Sequence, residues 1–137
     1  MFEPLEGGCL CGRLRYRVSL APIVSGYCHC RMCQKSSGAP LQATAEIPIA
    51  GFAFIKGEAK GYRSSPGAVR HFCPHCGSQL TFRIAENPAY VSINTPTLDR
   101  PEALPPRMHI WRESRIPWFE VKDGLPRYDR EDPPVPS

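Results

Sequence analysis

The sequence predicts a mainly β domain with little helix, and three observations predict it. Sixteen prolines and eleven glycines are spread through 137 residues, of which 42% are hydrophobic. Both residue types interrupt regular structure, so the elements between them must be short. Two stretches, Arg13-Leu14-Arg15-Tyr16-Arg17-Val18 and Gln79-Leu80-Thr81-Phe82-Arg83-Ile84, alternate polar with apolar side chains, the period of a half-buried strand. Turn chemistry separates such stretches, most clearly at Ser64-Ser65-Pro66-Gly67, where each residue type favours chain reversal.

Taken in order, Gly7-Gly8 allows a tight turn ahead of Cys9, because glycine reaches positive φ without steric cost. The first alternating strand then points Leu14, Tyr16 and Val18 inward. Residues 23–27 lead into a cysteine-dense loop over 28–33, and Gln34-Lys35-Ser36-Ser37-Gly38 reads as one helical turn closed by glycine. Strands are expected over 41–47 and 51–56, the second with Phe52 and Phe54 on one face, followed by a connection over 57–62 into an edge. A strand over 68–72 runs into Cys73-Pro74-His75-Cys76-Gly77, a metal knuckle in form: proline restricts the backbone, glycine lets it reverse. The second alternating strand, with Leu80, Phe82 and Ile84 inward, makes that knuckle a hairpin tip, and residues 90–95 supply a further strand. From Pro96, Pro101, Pro105 and Pro106 forbid long helices, so this part wraps irregularly; Trp111, Trp118 and Phe119 either dock it to the core or roof a pocket. Residues 1–128 form one domain and 129–137 a polar, proline-rich tail.

The seven cysteines are Cys9, Cys11, Cys28, Cys30, Cys33, Cys73 and Cys76. Zinc takes about four tetrahedral ligands; structural sites are closed, and catalytic sites keep one position for water or substrate. Seven therefore divides into a closed site of Cys9, Cys11, Cys73 and Cys76 and an open one of Cys28, Cys30 and Cys33. A disulfide framework suits even counts in secreted chains, and a redox Cys-x-x-Cys wants a thioredoxin-like βαβ context. Neither fits an odd count in a strand-rich chain. Two structural zincs, the second completed by a histidine, remain open. His29 lies between two ligands and faces away by alternation. His75 points outward from the knuckle, His71 shares parity with Cys73, and His109 reads as a packed or surface side chain.

The formal net charge of +4 invites a nucleic-acid reading, but coordinated thiols are deprotonated. Seven thiolates remove seven units and two zinc ions return four, leaving +1. No contiguous basic, aromatic-bearing run supports nucleic-acid binding. Arg13, Arg15, Arg31, Lys35 and Arg70 lie near cysteines, where they could neutralise thiolates; Arg31 and Lys35 are the candidates to steer substrate carboxylates. No stretch approaches the roughly eighteen apolar residues of a membrane span, and Met1-Phe2-Glu3-Pro4 opens no signal peptide, so a soluble, reducing, cytoplasmic setting is expected. There is no repeat, phosphate loop or Ser/His/Asp signature. The chemistry belongs to sulfur-bound metal.

Gly7-Gly8-Cys9-Leu10-Cys11-Gly12, Cys28-His29-Cys30-Arg31-Met32-Cys33 with Ser37-Gly38-Ala39, and Phe72-Cys73-Pro74-His75-Cys76-Gly77-Ser78 together resemble the glutathione-dependent formaldehyde-activating enzyme family, which includes centromere protein V. His109-Ile110-Trp111, Trp118-Phe119 and Asp123-Gly124-Leu125-Pro126 fit the same ending. The resemblance implies a β-tent fold, short antiparallel sheets joined by a structural zinc, with Cys9, Cys11, Cys73 and Cys76 as its ligands and Cys28, Cys30 and Cys33 on a catalytic zinc. It also implies carbon-sulfur lyase chemistry: condensation of glutathione, or a similar thiol cosubstrate, with formaldehyde or another small aldehyde, or the reverse. The alternative is a noncatalytic zinc module that binds protein or nucleic acid.

Overall fold

Ten strands are found among residues 1–131, which the computed structural model describes: β1 (Leu5–Gly8), β2 (Arg15–Val18), β3 (Val24–Cys28), β4 (Gln42–Pro48), β5 (Phe52–Lys56), β6 (Lys60–Ser65), β7 (Ala68–Phe72), β8 (Gln79–Ile84), β9 (Tyr90–Asn94) and β10 (His109–Ile110). One α-helix, α1 (Arg31–Ser37), lies between β3 and β4; the remaining helical pieces are single 3-10 turns. The expected mainly β class is therefore what the chain adopts.

The strands form two sheets, a three-stranded one in the order β1-β2-β5 and a seven-stranded one in the order β10-β3-β4-β9-β8-β7-β6. Every pairing is antiparallel except β10 with β3, where Ile110 lies opposite Cys28. Leu14, Tyr16 and Val18 are buried as the alternation predicts, and they join Ala45, Ile47, Leu80, Val91 and Ile93 of the larger sheet in one apolar cluster. That cluster draws on both sheets and holds the smaller against the larger. Phe52 and Phe54 pack against it with their rings edge to face at 5.2 Å, a favoured aromatic geometry. The Tyr16 hydroxyl, deep in the cluster, is satisfied by Thr97 Oγ1 at 2.7 Å.

Several expectations need correction. Gly7-Gly8 make no turn: they end β1, opposite Tyr16 and Arg15, and the positive φ in the cysteine loop is that of Gly12, at 80°. The helix expected over Gln34–Gly38 begins earlier, at Arg31, with Cys30 as its N-cap, although Gly38 does close it at φ 71°. In β8 only Leu80 of the expected inward set is buried: Thr81 is buried too and Ile84 is 40% exposed. Adjacent strand residues face opposite sides, so burial of both Leu80 and Thr81 means both sheet faces are covered there; β9 pairs only with Thr81 and Phe82, leaving Ile84 beyond its reach. Trp118 and Phe119, at 76% and 38% exposed, neither dock the wrap nor roof a pocket.

The wrap itself is held by the backbone. Tyr128 N donates to His109 O at 2.9 Å, Trp111 N to Arg130 O at 2.8 Å, and Glu113 N to Asp129 O at 3.3 Å, so the chain through Arg130 is bonded back onto β10. Positions 132–137 of the expected tail lie outside the described residues. Trp111 adopts the left-handed conformation at φ 57°, which costs roughly 1–3 kcal/mol for a non-glycine residue. No described helix is long and apolar enough to cross a membrane.

Candidate metal centres and the adjoining pocket

The two cysteine groups assemble as the spacing predicts. Cys9 and Cys11 come from the loop between β1 and β2, Cys73 and Cys76 from the hairpin between β7 and β8, and the four Sγ atoms lie within 4.8 Å of one another. The quartet thus stitches the small sheet to the large one. Zinc-thiolate bonds of ~2.3 Å in a tetrahedron separate neighbouring sulfurs by about 3.8 Å, and Cys9–Cys11 and Cys11–Cys73 stand at 3.6 and 3.8 Å. Backbone donors are already turned on the sulfurs: Leu14 N on Cys9 at 3.2 Å and His75 N on Cys73 at 3.4 Å. Such donors favour thiolate over thiol. All seven cysteines are free, so no disulfide competes with this arrangement.

The trio is built from a strand end and a helix start. Cys28 closes β3, while Cys30 caps α1 and accepts a hydrogen bond from Cys33 N at 3.2 Å. An N-cap side chain lies over the N3 amide, so the Cys-x-x-Cys spacing brings Cys30 and Cys33 to one side of the helix start. The three Sγ atoms lie within 4.8 Å, with Cys28 and Cys33 at 3.2 Å. Crowded thiols cannot all ionise without a cation. Hydrogen bonds from Cys28 and then Cys33, helped by the Cys33 amide and the Arg70 charge, drive the Cys30 thiol far down. The same pairing with Cys30 and Cys33, with burial, drives Cys28 up. A divalent ion relieves that crowding, so the donor set and its spacing fit a thiophilic metal such as zinc.

No histidine or carboxylate joins either group among the described residues. His29 turns away, as alternation predicts, and its Nε2 meets His109 Nδ1 at 2.8 Å. Burial, with the charges of His109, Arg112 and Arg127, lowers its pKa to about 4, so it is neutral at pH 7. His109 is fully buried, the packed outcome of the two expected, and it is hydrogen-bonded on both ring nitrogens. Asp123 can only accept, so His109 Nε2 donates to its carboxylate at 3.0 Å, and Arg127 Nη1 donates to the same carboxylate at 2.8 Å. This Asp123–His109–His29 chain, with both imidazoles buried and the carboxylate at the surface, pins the wrap behind the cysteine loop. Gln34 adds a second tie, donating from Nε2 to His29 O at 2.8 Å and Ser114 O at 3.1 Å. Sequence reading missed both: the partners lie 80 residues apart, and no local pattern marks them.

Between α1 and the β7–β8 hairpin opens a cavity of about 370 Å³ whose polar walls are Ser36, Ser37, Gln42, Ser78, Gln79 and Asn94; no cysteine lines it, and it adjoins the trio through Ser36, Ser37 and Gln42. Gln42 lies directly opposite Cys28 in the β3–β4 ladder. Arg31 and Lys35 stand on the exposed side of α1 and do not line this cavity. Arg70 is a cation whose charge acts on Cys30 and Cys33: it is 8% exposed, its guanidinium sits 4.6 Å from the Phe82 ring centre, and Nη1 reaches Gln42 Oε1 at 3.4 Å.

Fold and sites define a mainly β protein with two cysteine clusters, one of four sulfurs and one of three, each of which could hold a metal ion. The model of the glutathione-dependent formaldehyde-activating enzymes matches residues 4–114, and the chain belongs to that family. A Halomonas elongata protein, itself only provisionally described as a glutathione-dependent formaldehyde-activating enzyme, is 32% identical over 129 residues, covering 86% of this chain and 81% of the relative. A crystal structure of a Rhodobacter sphaeroides protein shares the fold at TM-score 0.62 and 19% identity, over 90% of this chain and 99% of that one. Elemental analysis of the purified protein is expected to find two metal ions per chain. One ion, or a disulfide within the trio, would count against the four-plus-three division.

Proposed function

We propose that the chain is a zinc-dependent enzyme of the carbon-sulfur lyase type, acting on adducts of a thiol, glutathione or a similar one, with formaldehyde or another small aldehyde. The carrying observation is the trio: three converging sulfurs, no fourth protein ligand among the described residues, and a cavity alongside. Cys28, Cys30 and Cys33 would hold a zinc whose fourth position keeps a substrate thiol as thiolate, while Cys9, Cys11, Cys73 and Cys76 would hold a structural one. Three thiolates on a divalent ion leave a site charge of −1, which disfavours ionising water and leaves a soft thiol as the natural occupant.

The protein's own groups serve that chemistry. The Cys33 amide and Arg70 stabilise negative charge at the sulfurs, and His29, engaged with His109, stays off the fourth position. In the forward direction the substrate thiolate sulfur adds to the aldehyde carbon, forming the carbon-sulfur bond as the carbonyl π bond breaks onto oxygen, and that oxygen takes from solvent the proton that the thiol gave up; nothing is oxidised or reduced. Arg31 and Lys35, on the outer side of α1, would meet carboxylates of the thiol that project into solvent. A reducing compartment such as the cytoplasm suits seven free thiols, and residues 1–128 would work as one domain.

The test is titration of the zinc protein with glutathione and with a sulfur-free analogue, followed by NMR of labelled formaldehyde exchange. Exchange should run at least tenfold faster with protein than without and be lost in Cys30→Ser. Equal binding of the analogue, or no acceleration, would leave a noncatalytic zinc module as the better reading.

A further inference from the structure

The cavity beside the trio has no ionisable side chain in its wall, and this bears on which thiol the protein takes. Its polar groups are three hydroxyls, from Ser36, Ser37 and Ser78, and three carboxamides, from Gln42, Gln79 and Asn94; the other lining residues are small or apolar. Its position ties it to the trio. Gln42 faces Cys28 across the ladder, and Ser36 and Ser37 follow Cys33 by one helical turn, the spacing that stacks side chains on one face. Ser37 Oγ donates to Cys33 O at 2.7 Å.

The carboxamides are fixed in place. Gln42 Nε2 donates to Gln79 Oε1 at 3.2 Å, Gln79 Nε2 donates to Ser36 O, and Asn94 Nδ2 donates to Gln79 O at 3.0 Å. A carboxamide can make up to four hydrogen bonds and a hydroxyl three, so this fence keeps donors and acceptors for a ligand. It offers no counter-charge. Arg31 and Lys35 lie outside, and Arg70 is behind Gln42 with Nη1 on that side chain. A carboxylate desolvated here would be unpaired, and an unpaired buried charge is heavily penalised, whereas an amide or hydroxyl meets partners of its own kind. At about 370 Å³ the cavity is in the usual range of roughly 300–1,000 Å³ for a small-molecule site.

We propose that this pocket receives the part of the substrate thiol next to its sulfur and selects an uncharged, amide- or hydroxyl-bearing group there over a carboxylate. The inference rests on the thiol reading above and deepens it: carboxylates elsewhere on the cosubstrate, as in glutathione, stay outside the pocket on the side of Arg31 and Lys35.

The test uses the zinc-loaded protein and two probes that differ in one group, N-acetylcysteine and its carboxamide, with calorimetric affinities measured for wild type, Asn94→Ala and Ser36→Ala. The carboxamide should bind at least tenfold tighter to wild type. That ratio should shrink by threefold or more in at least one of the variants, each checked for unchanged metal content and melting temperature. Equal affinities, or tighter binding of the acid, would overturn the pocket's selectivity while leaving thiol binding intact. A ratio unchanged in both folded variants would assign the preference to the charge of the metal site and overturn the pocket's role. If neither probe binds better than its sulfur-free counterpart, the thiol reading itself falls and this inference with it.

Discussion

Cys73→Ser is expected to leave the protein largely unfolded at room temperature, whereas Cys30→Ser should fold and melt within a few degrees of wild type. Cys73 is fully buried in the apolar cluster that joins the two sheets, and its Sγ faces that of Cys11, 62 residues away in sequence. A metal there closes a long loop, whose closure cost in the unfolded chain grows with length. Structural zinc contributes roughly 10–16 kcal/mol in finger peptides, against a net domain stability of about 5–15 kcal/mol, so losing one ligand can consume the whole margin. Cys28 and Cys33 are only five positions apart in sequence, and the loop they bound is also held by the Asp123–His109–His29 chain and by Gln34. Thermal melts followed by circular dichroism compare the two variants directly. Equal destabilisation would mean that both centres are structural.

What the sequence made legible follows from where its signals are local. The strand Ala68–Phe72 was readable to the residue because Pro66-Gly67 turns the chain on one side and Cys73-Pro74 begins the knuckle on the other. The grouping of the cysteines was readable because sulfur count and spacing constrain it so tightly. The start of α1 was not: Cys30 caps it in place of the usual serine, threonine, aspartate or asparagine, so the standard signal was missing. Nor was the parallel pairing of β10 with β3, since two residues after a proline-rich run carry no period. Arg70 lay on a list of basic residues near cysteines, with nothing to single it out; only the sheet, by turning β7 toward the trio, does so.

Arg70→Met is expected to weaken metal binding at the trio about ten- to a hundredfold while the quartet keeps its ion. Arg70 is buried, its Nε has no hydrogen-bond partner, and none of the ion pairs among the described residues includes it. A guanidinium removed from water costs several kcal/mol unless an opposite charge compensates it. Its charge adds to the hydrogen bonds from Cys28 and Cys33 that lower Cys30, and at Cys33 it works with the Cys28 hydrogen bond against the pairing with Cys30 and the burial that leave that thiol raised, so the deprotonated trio, at −1 with a divalent ion, is the compensating charge that the fold provides. A hydrogen-bonded or paired charge of this kind contributes roughly 1.5–3 kcal/mol, which converts to about ten- to a hundredfold in a dissociation constant. Methionine keeps much of the packing over Phe82 and removes only the charge, and Arg70→Lys should recover most of the affinity. Competition with a chromophoric chelator measures the loss, and cobalt substitution, read in the sulfur-to-cobalt charge-transfer bands, assigns it to one site. If Arg70→Met melts early yet holds both ions as tightly as wild type, the guanidinium is a packing element and the trio finds its counter-charge elsewhere.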